Sequence, residues 1–95
     1  MNEDKNAYEE KMQAHIDEAR AEIDKLKAKA DQKRADAKIG LDQKIEELEH
    51  KREQLEAEAT QIKHASGDAW RDLKSGFSGA WDRMNQSIKE ARSKF

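Results

Sequence analysis

The chain has 95 residues, of which 42% are charged, 35% hydrophobic and 5% aromatic, and its formal net charge is −2. This length allows one small domain at most, and the low aromatic content argues against a thick globular core. Cysteine is absent, which excludes a disulfide framework and a cysteine-based zinc site, and the near-neutral charge argues against nucleic acid as a partner. Proline is also absent and strong helix formers dominate, so the composition predicts helix rather than disorder.

Residues 1–65 are predicted to form a long, charged coiled-coil helix. Apolar residues recur there at steps of mostly three and four, which is the helical period and not the period of a strand. Lys33 and Arg52 interrupt this stripe, and both side chains are long enough to carry their charge to water. The apolar stripe consists of Tyr8, Met12, Ile16, Ala19, Ile23, Leu26, Ala30, Ala37, Leu41, Ile45, Leu48, Leu55, Ala59 and Ile62.

Gly40 is the weak point of this long helix. The stripe passes through Gly40 in phase, which favours a continuous helix of about 90 Å at ~1.5 Å per residue. The alternative is a helical hairpin, in which Gly40 ends one helix and Asp42 caps the next.

Residues 66–95 are predicted to form a shorter amphipathic helix that carries both tryptophans and both phenylalanines. Ser66 or Asp68 can cap this helix, and Gly67 can accommodate the turn before it. The segment 66–95 has six basic and four acidic residues, whereas 41–65 has four and seven, so antiparallel packing of the two is electrostatically favourable. We expect the helix to fold back or to pack across an oligomer. The predicted interaction residues are Trp70, Leu73, Phe77, Trp81, Met84, Ile88, Leu41, Leu48, Leu55 and Ile62.

No motif in the sequence indicates catalysis, a cofactor or a metal site. Glu47 and His50 fit the Glu-x-x-His pattern of di-iron bundles, but such a site needs a second copy and further glutamates. We therefore predict no metal, and we expect His15, His50 and His64 to face solvent. The chain also lacks a glycine-rich phosphate loop and a recognisable pairing of nucleophile with base. The protein is predicted not to be an enzyme.

The tail of the chain resembles a known family. Residues 66–74 read Ser-Gly-Asp-Ala-Trp-Arg-Asp-Leu-Lys, Ala80-Trp81-Asp82 follow, and the chain closes on Ser93-Lys94-Phe95. This pattern is similar to the tail of small bacterial coiled-coil stress-response proteins, and the Lys/Ala/Asp-rich stretch at 26–31 and the glutamate-rich stretch at 45–49 fit the same family. The resemblance implies a cytoplasmic helical protein linked to stress, with no defined biochemical activity.

These observations predict a non-catalytic coiled-coil scaffold or stress-associated interaction protein that self-associates through its apolar stripe, as a homo-oligomer. One alternative is a peripheral membrane protein, because residues 68–95 combine large apolar groups on one face with lysine and arginine on the other. Another is a helical adaptor or inhibitor that docks on a larger complex. The sequence starts without an apolar signal region, so a cytoplasmic location is expected.

Overall fold

The computed structural model describes residues 2–95, with side chains from Asp4 onward. It contains three helices: α1 (Asn2–Asp31), α2 (Ala35–His64) and α3 (Ala69–Lys94). Helix accounts for 91% of the chain, and the described residues include no strand, so the prediction of an all-α protein is confirmed. The helices run up, down and up in a bundle that measures 52 × 18 × 16 Å. Within residues 2–95, none of them has a stretch long and apolar enough to cross a bilayer.

The predicted continuous helix over residues 1–65 is wrong, because α1 ends at Asp31 and α2 begins at Ala35. The alternative hairpin does form, but its turn lies at Gln32–Arg34 and not at Gly40, which sits inside α2 with open space around it. The physical reason is burial. Folding α1 back onto α2 and α3 removes its apolar stripe from water, which a lone rod cannot do.

The first turn, Gln32–Arg34, has little local chemistry to define it. Arg34 adopts an extended conformation (φ −67°, ψ 156°) and makes no side-chain capping hydrogen bond to α2. The Gln32 and Lys33 amides donate to the Lys29 and Ala30 carbonyls at 3.2 and 3.0 Å, which tightens the last turn of α1. No residue of this turn has a positive φ angle. A salt bridge of 3.4 Å between Lys38 and Asp31 spans it on the surface.

The second turn, residues 65–68, is defined by specific groups. Gly67 has a φ angle of +58°, a left-handed conformation that costs a residue with a Cβ atom strain, as the sequence led us to expect. The Lys5 ammonium of α1 donates to the Lys63 and Ala65 carbonyls at 3.1 and 2.7 Å, and so satisfies the negative end of the α2 dipole. Asp68 occupies the N-cap position of α3, but its side chain makes no capping hydrogen bond.

The core consists of two clusters of buried side chains. The first-turn cluster contains Ala19, Ile23, Leu26, Ala30, Ile45, Leu48, Met84, Ile88 and Ala91. The second-turn cluster contains Met12, Ile16, Leu55, Ala59, Ile62, Trp70, Phe77 and Ala80. Trp81 packs against both clusters and joins them along the bundle axis. Of the predicted apolar stripe, only Ala37 is exposed, because it lies in the first turn of α2 beside the chain reversal.

Charge complementarity supports this packing. α3 has six basic and three acidic residues, whereas α1 has nine acidic against six basic and α2 has eight acidic against five basic. Ion pairs join all three helices: Arg92 to Glu22 at 2.6 Å, Arg20 to Glu56 at 2.9 Å, and Lys44 to Glu90 at 3.5 Å. The buried Ser87 hydroxyl accepts a hydrogen bond from Lys51, so α2 and α3 are also joined near the middle of the bundle.

Candidate functional site

Most of the predicted interaction residues lie in the interior of a single chain. Seven of them are at most 3% exposed, and Leu41, Leu73 and Trp81 are partly exposed. α3 folds back on α2 in the expected antiparallel sense, so Trp70 and Phe77 meet Leu55, Ala59 and Ile62 within one chain. The seven buried residues are Trp70, Phe77, Met84, Ile88, Leu48, Leu55 and Ile62.

Aromatic side chains reach the surface along the seam between α1 and α3. A groove of about 380 Å³ opens there, which we call the aromatic groove. It continues past Tyr8 into a second hollow of about 420 Å³, where Trp70, Arg71 and Lys74 form the α3 wall. The aromatic groove is lined by Tyr8, Lys11, His15, Phe77, Ser78, Trp81 and Asp82.

The heptad spacing of the two helices produces this arrangement. Tyr8 and His15 are seven residues apart on α1, and Trp70 and Phe77 are seven apart on α3, so each pair lies on one helix face. The Tyr8 ring lies 5.8 Å from the Trp70 ring and 6.2 Å from the Phe77 ring, the latter in an edge-on arrangement. These separations are typical of favourable aromatic pairs. The parallel α1–α3 seam therefore carries an aromatic ladder.

The sequence led us to expect that His15 faces solvent, but in the structure it is partly covered. Its ring stacks on Trp81, with ring centroids 4.1 Å apart and an interplanar angle of 24°, and its side chain is 25% exposed. The signal for this contact is its position one residue before the stripe residue Ile16 and seven after Tyr8. His50 agrees with the expectation, since its side chain is 68% exposed, and His64 is exposed as well.

Cations surround the aromatic surface. The Lys74 ammonium lies 5.1 Å from the Tyr8 ring centroid and 5.4 Å from that of Trp70, and the Arg71 guanidinium lies 5.7 Å from Trp70. Lys11 approaches Tyr8 from the other side at 6.0 Å, which is within the range of cation–π attraction. Asp4 forms an ion pair with Arg71 at 3.7 Å. Burial raises the pKa of Tyr8 above its usual value, so this phenol remains a neutral hydrogen-bond donor at physiological pH.

A third hollow, on the α1–α2 side, is a weaker candidate. Its volume is about 290 Å³, and its lining is almost entirely charged. Four of its five charged side chains already have partners, because Lys27 pairs with Glu49 at 3.2 Å, and Arg20 and Arg52 share the Glu56 carboxylate. A site with satisfied ions and little apolar surface offers a partner little free energy of binding.

The Glu-x-x-His motif does not assemble into a site. Glu47 lies between Lys51 and Lys44 at 3.2 and 3.3 Å, and hydrogen bonds from these two lysines lower the pKa of its carboxyl group. His50 lies beside Glu46 and Glu53 on the exposed face of α2. Among the residues with described side chains, no group of three histidine, cysteine or acidic residues is placed to hold a metal ion.

Comparison with models of protein families, with curated proteins and with solved structures finds no match to this chain. The class of protein is therefore defined by its fold and surface alone. Over the described residues it is an all-α protein of three helices, in which each helix is antiparallel to the next in sequence. It has a buried apolar interior, a charged exterior and an aromatic groove beside a cluster of cations.

Proposed function

We propose that this chain is a non-catalytic helical interaction protein, of the stress-associated kind that its tail sequence resembles, and that the aromatic groove is its partner site. The groove carries the proposal, because it exposes faces of Tyr8, His15 and Trp81 on a surface that is otherwise mainly charged. Tyrosine, tryptophan and arginine are the residues that most often dominate binding energy at protein interfaces. The groove and the neighbouring hollow supply all three types of side chain.

The chemistry of the rim favours an acidic helical segment as the partner. Lys11, Lys74 and Arg71 outnumber the acidic groups Asp4 and Asp82 along the groove and its extension. The volume of the groove suits one or two large apolar side chains, and its course follows a helix seam. An amphipathic helix can place leucine-sized groups over Tyr8 and Trp81 and carboxylates near the lysines. The partner is then a larger complex or another helical protein that displays such a segment.

Lipid binding is less well supported by the fold. The sequence places the large apolar side chains of 68–95 on one face, yet Trp70 and Phe77 are only 3% and 2% exposed in the bundle. Membrane insertion of that face requires α3 to leave α1 and α2, with loss of the second-turn cluster.

A peptide titration tests the proposed partner chemistry. We would add a synthetic amphipathic helix with leucine on one face and glutamate on the other, and compare it with the same helix carrying lysine in place of glutamate. NMR shift changes and tryptophan fluorescence should localise binding of the acidic peptide to Tyr8, His15 and Trp81. The variant Lys74→Glu should weaken binding about tenfold, as loss of a close charge pair does.

The matched control is Lys89→Glu, which makes the same charge reversal at another exposed position of α3. It should leave the affinity within about twofold, since distant surface charges are screened by salt. Equal binding of the acidic and basic peptides, or shift changes scattered over all three helices, would contradict the proposal. Binding of anionic vesicles with a blue shift of tryptophan emission, and no binding of either peptide, would favour the membrane alternative.

A further inference from the structure

The first turn lies in a segment whose sequence is compatible with uninterrupted helix. Residues 29–38 contain neither glycine nor proline, and the turn itself consists of Gln32, Lys33 and Arg34, which are all good helix formers. Neither α1 nor α2 has a side-chain or glycine cap at this turn. The chain reversal therefore depends on tertiary packing and not on local conformational preference.

The apolar stripe also continues through the turn in phase. From Ala30 to Ile45 the intervening stripe positions are Lys33, Ala37 and Leu41, at steps of three and four residues. Lys33 and Ala37 are exposed in the bundle. If residues 32–34 became helical, the stripes of α1 and α2 would lie on one side of a single long helix.

We infer that residues 32–34 act as a hinge, and that two copies of this chain form a dimer by exchanging α1. In the dimer, the turn straightens, and α1 of each copy packs on α2 and α3 of the other. Because α1 and α2 are antiparallel in the bundle, the two long helices are antiparallel and related by a two-fold axis near residues 33–37. Every contact that α1 makes in the bundle is reformed between chains, the contacts between α2 and α3 stay within each chain, and the aromatic groove is also reformed. This inference rests on the fold and is independent of the partner proposed for the groove.

The positive charge at the hinge opposes this exchange and so limits the fraction of the protein that is dimeric. Lys33 occupies a stripe position, so the two Lys33 side chains approach each other near the two-fold axis of the dimer, and Arg34 follows it. In the single chain these cations point to water. Like charges that meet in a helix seam disfavour that assembly. We therefore expect the natural sequence to populate both forms, with the dimer favoured by high protein concentration.

Two substitutions with opposite effects test the hinge. Lys33→Leu fills the seam of the straight helix and lowers the dimer dissociation constant by on the order of tenfold or more. Ala35→Pro has the opposite effect: position 35 begins α2 and Arg34 is already extended, so proline fits the turn, whereas in a continuous helix it raises the dissociation constant by about a hundredfold. The oligomeric state is measured by sedimentation velocity after unfolding and refolding at low and at high protein concentration.

The control for added surface hydrophobicity is Lys25→Leu, an exposed position of α1 outside the stripe. The double variant Lys33→Leu/Ala35→Pro should be monomeric if dimers form by straightening of the turn. Single-molecule energy transfer between dyes at Asn6→Cys and Gln61→Cys gives the shape directly, since the chain has no other cysteine. A labelled chain in an excess of unlabelled protein should show a short separation as monomer and roughly 80 Å as dimer, at 1.5 Å per helical residue.

The inference is overturned if the natural sequence stays monomeric at every concentration after refolding. It is equally overturned if Lys25→Leu dimerises as strongly as Lys33→Leu, or if the dimers persist with Ala35→Pro and a short dye separation. None of these outcomes bears on the acidic-peptide titration, so failure of the hinge and failure of the groove are distinguishable.

Discussion

The two turns of this bundle reverse the chain by different means. At the second turn, Gly67 adopts a left-handed conformation, Lys5 binds the terminal carbonyls of α2, and Trp70 is buried beside them. At the first turn, the nearest buried residue is the small Ala30, and Ile39 is 63% exposed. One turn is therefore defined by its own residues and the other by the packing of the helices it connects. The first turn is accordingly the one at which the proposed exchange of α1 takes place.

The largest expected effect is the loss of the buried side chain at the second turn. Trp70→Ala should lower the free energy of unfolding by about 3–5 kcal/mol, because Trp70 is 3% exposed and packs in the second-turn cluster. At the first turn, Ala30→Gly should cost only about 1 kcal/mol, mainly from helix propensity. Urea denaturation followed by circular dichroism measures both variants. A loss below 1 kcal/mol for Trp70→Ala would mean that burial of Trp70 does not stabilise the second turn.

Glycine substitutions should give opposite signs at the two positions. Gly67→Ala should destabilise the protein by about 1–2 kcal/mol, because its φ angle of +58° is unfavourable for alanine. Gly40→Ala should stabilise it by about 0.5–1 kcal/mol, since Gly40 lies inside α2 with no atom within 4 Å of the added methyl group. The denaturation midpoints of the two variants should move in opposite directions. A shift of the same sign in both would show that local backbone conformation does not distinguish these sites.

The sequence predicted the second turn and missed the first, because only the second turn carries local signals of a chain reversal. Ser66, Gly67 and Asp68 are local signals of a chain reversal, and they can be read without knowledge of the tertiary structure. Gln32, Lys33 and Arg34 are helix formers, and the reversal among them is favoured only by contacts between residues distant in sequence. The apolar stripe itself was predicted almost completely, because helical periodicity is a local property. The sequence did not predict whether the same chain or a second molecule covers the stripe, since periodicity does not distinguish the two.

The candidate site was predicted only in part. Phe77 and Trp81 were expected at an interaction surface, and they line the aromatic groove, but Phe77 is almost fully buried beneath it. His15 was missed, because its stacking on Trp81 depends on the offset between α1 and α3, and histidine is equally common on a solvated face. The proposed self-association, stress role and partners remain predictions.

Two lysines near the turns form a further matched comparison. Lys5→Met should destabilise the protein by about 0.3–1 kcal/mol, because it leaves the Ala65 and Lys63 carbonyls without their cation at the end of the α2 dipole. Lys38→Met removes the Asp31 and Asp42 salt bridges at the first turn, and should cause no measurable change because these groups are exposed. Thermal unfolding at low and high salt checks both. Equal losses would show that the surface bridge fixes the first turn after all.

The smallest expected effect is a loss of stability in acid. It should begin in the half of the bundle that contains the first-turn cluster. The hydrogen bond from Arg92 lowers the pKa of Glu22 below its usual value of 4.5, and the Lys51 and Lys44 bonds do the same for Glu47. Burial acts against ionisation of Glu56, but the bonds from Arg52 and Arg20 outweigh it, so this pKa is lowered as well. A carboxyl group with a lowered pKa in the folded state stabilises the protein above its unfolded pKa, and that stability is lost as the pH falls through the folded pKa.

We therefore expect the melting temperature to be constant near neutral pH and to fall below about pH 4.5. Glu22→Gln should reduce this dependence on pH, whereas Glu10→Gln, on the exposed face of α1, controls for the loss of one carboxylate. Hydrogen exchange in mild acid should open the amides of residues 22–31 before those of 70–77, because two of the three carboxylates lie beside the first-turn cluster while Trp70 and Phe77 hold the other end. Uniform opening along the bundle would mean that its two ends are equally stable. The two turns would then differ in backbone conformation alone.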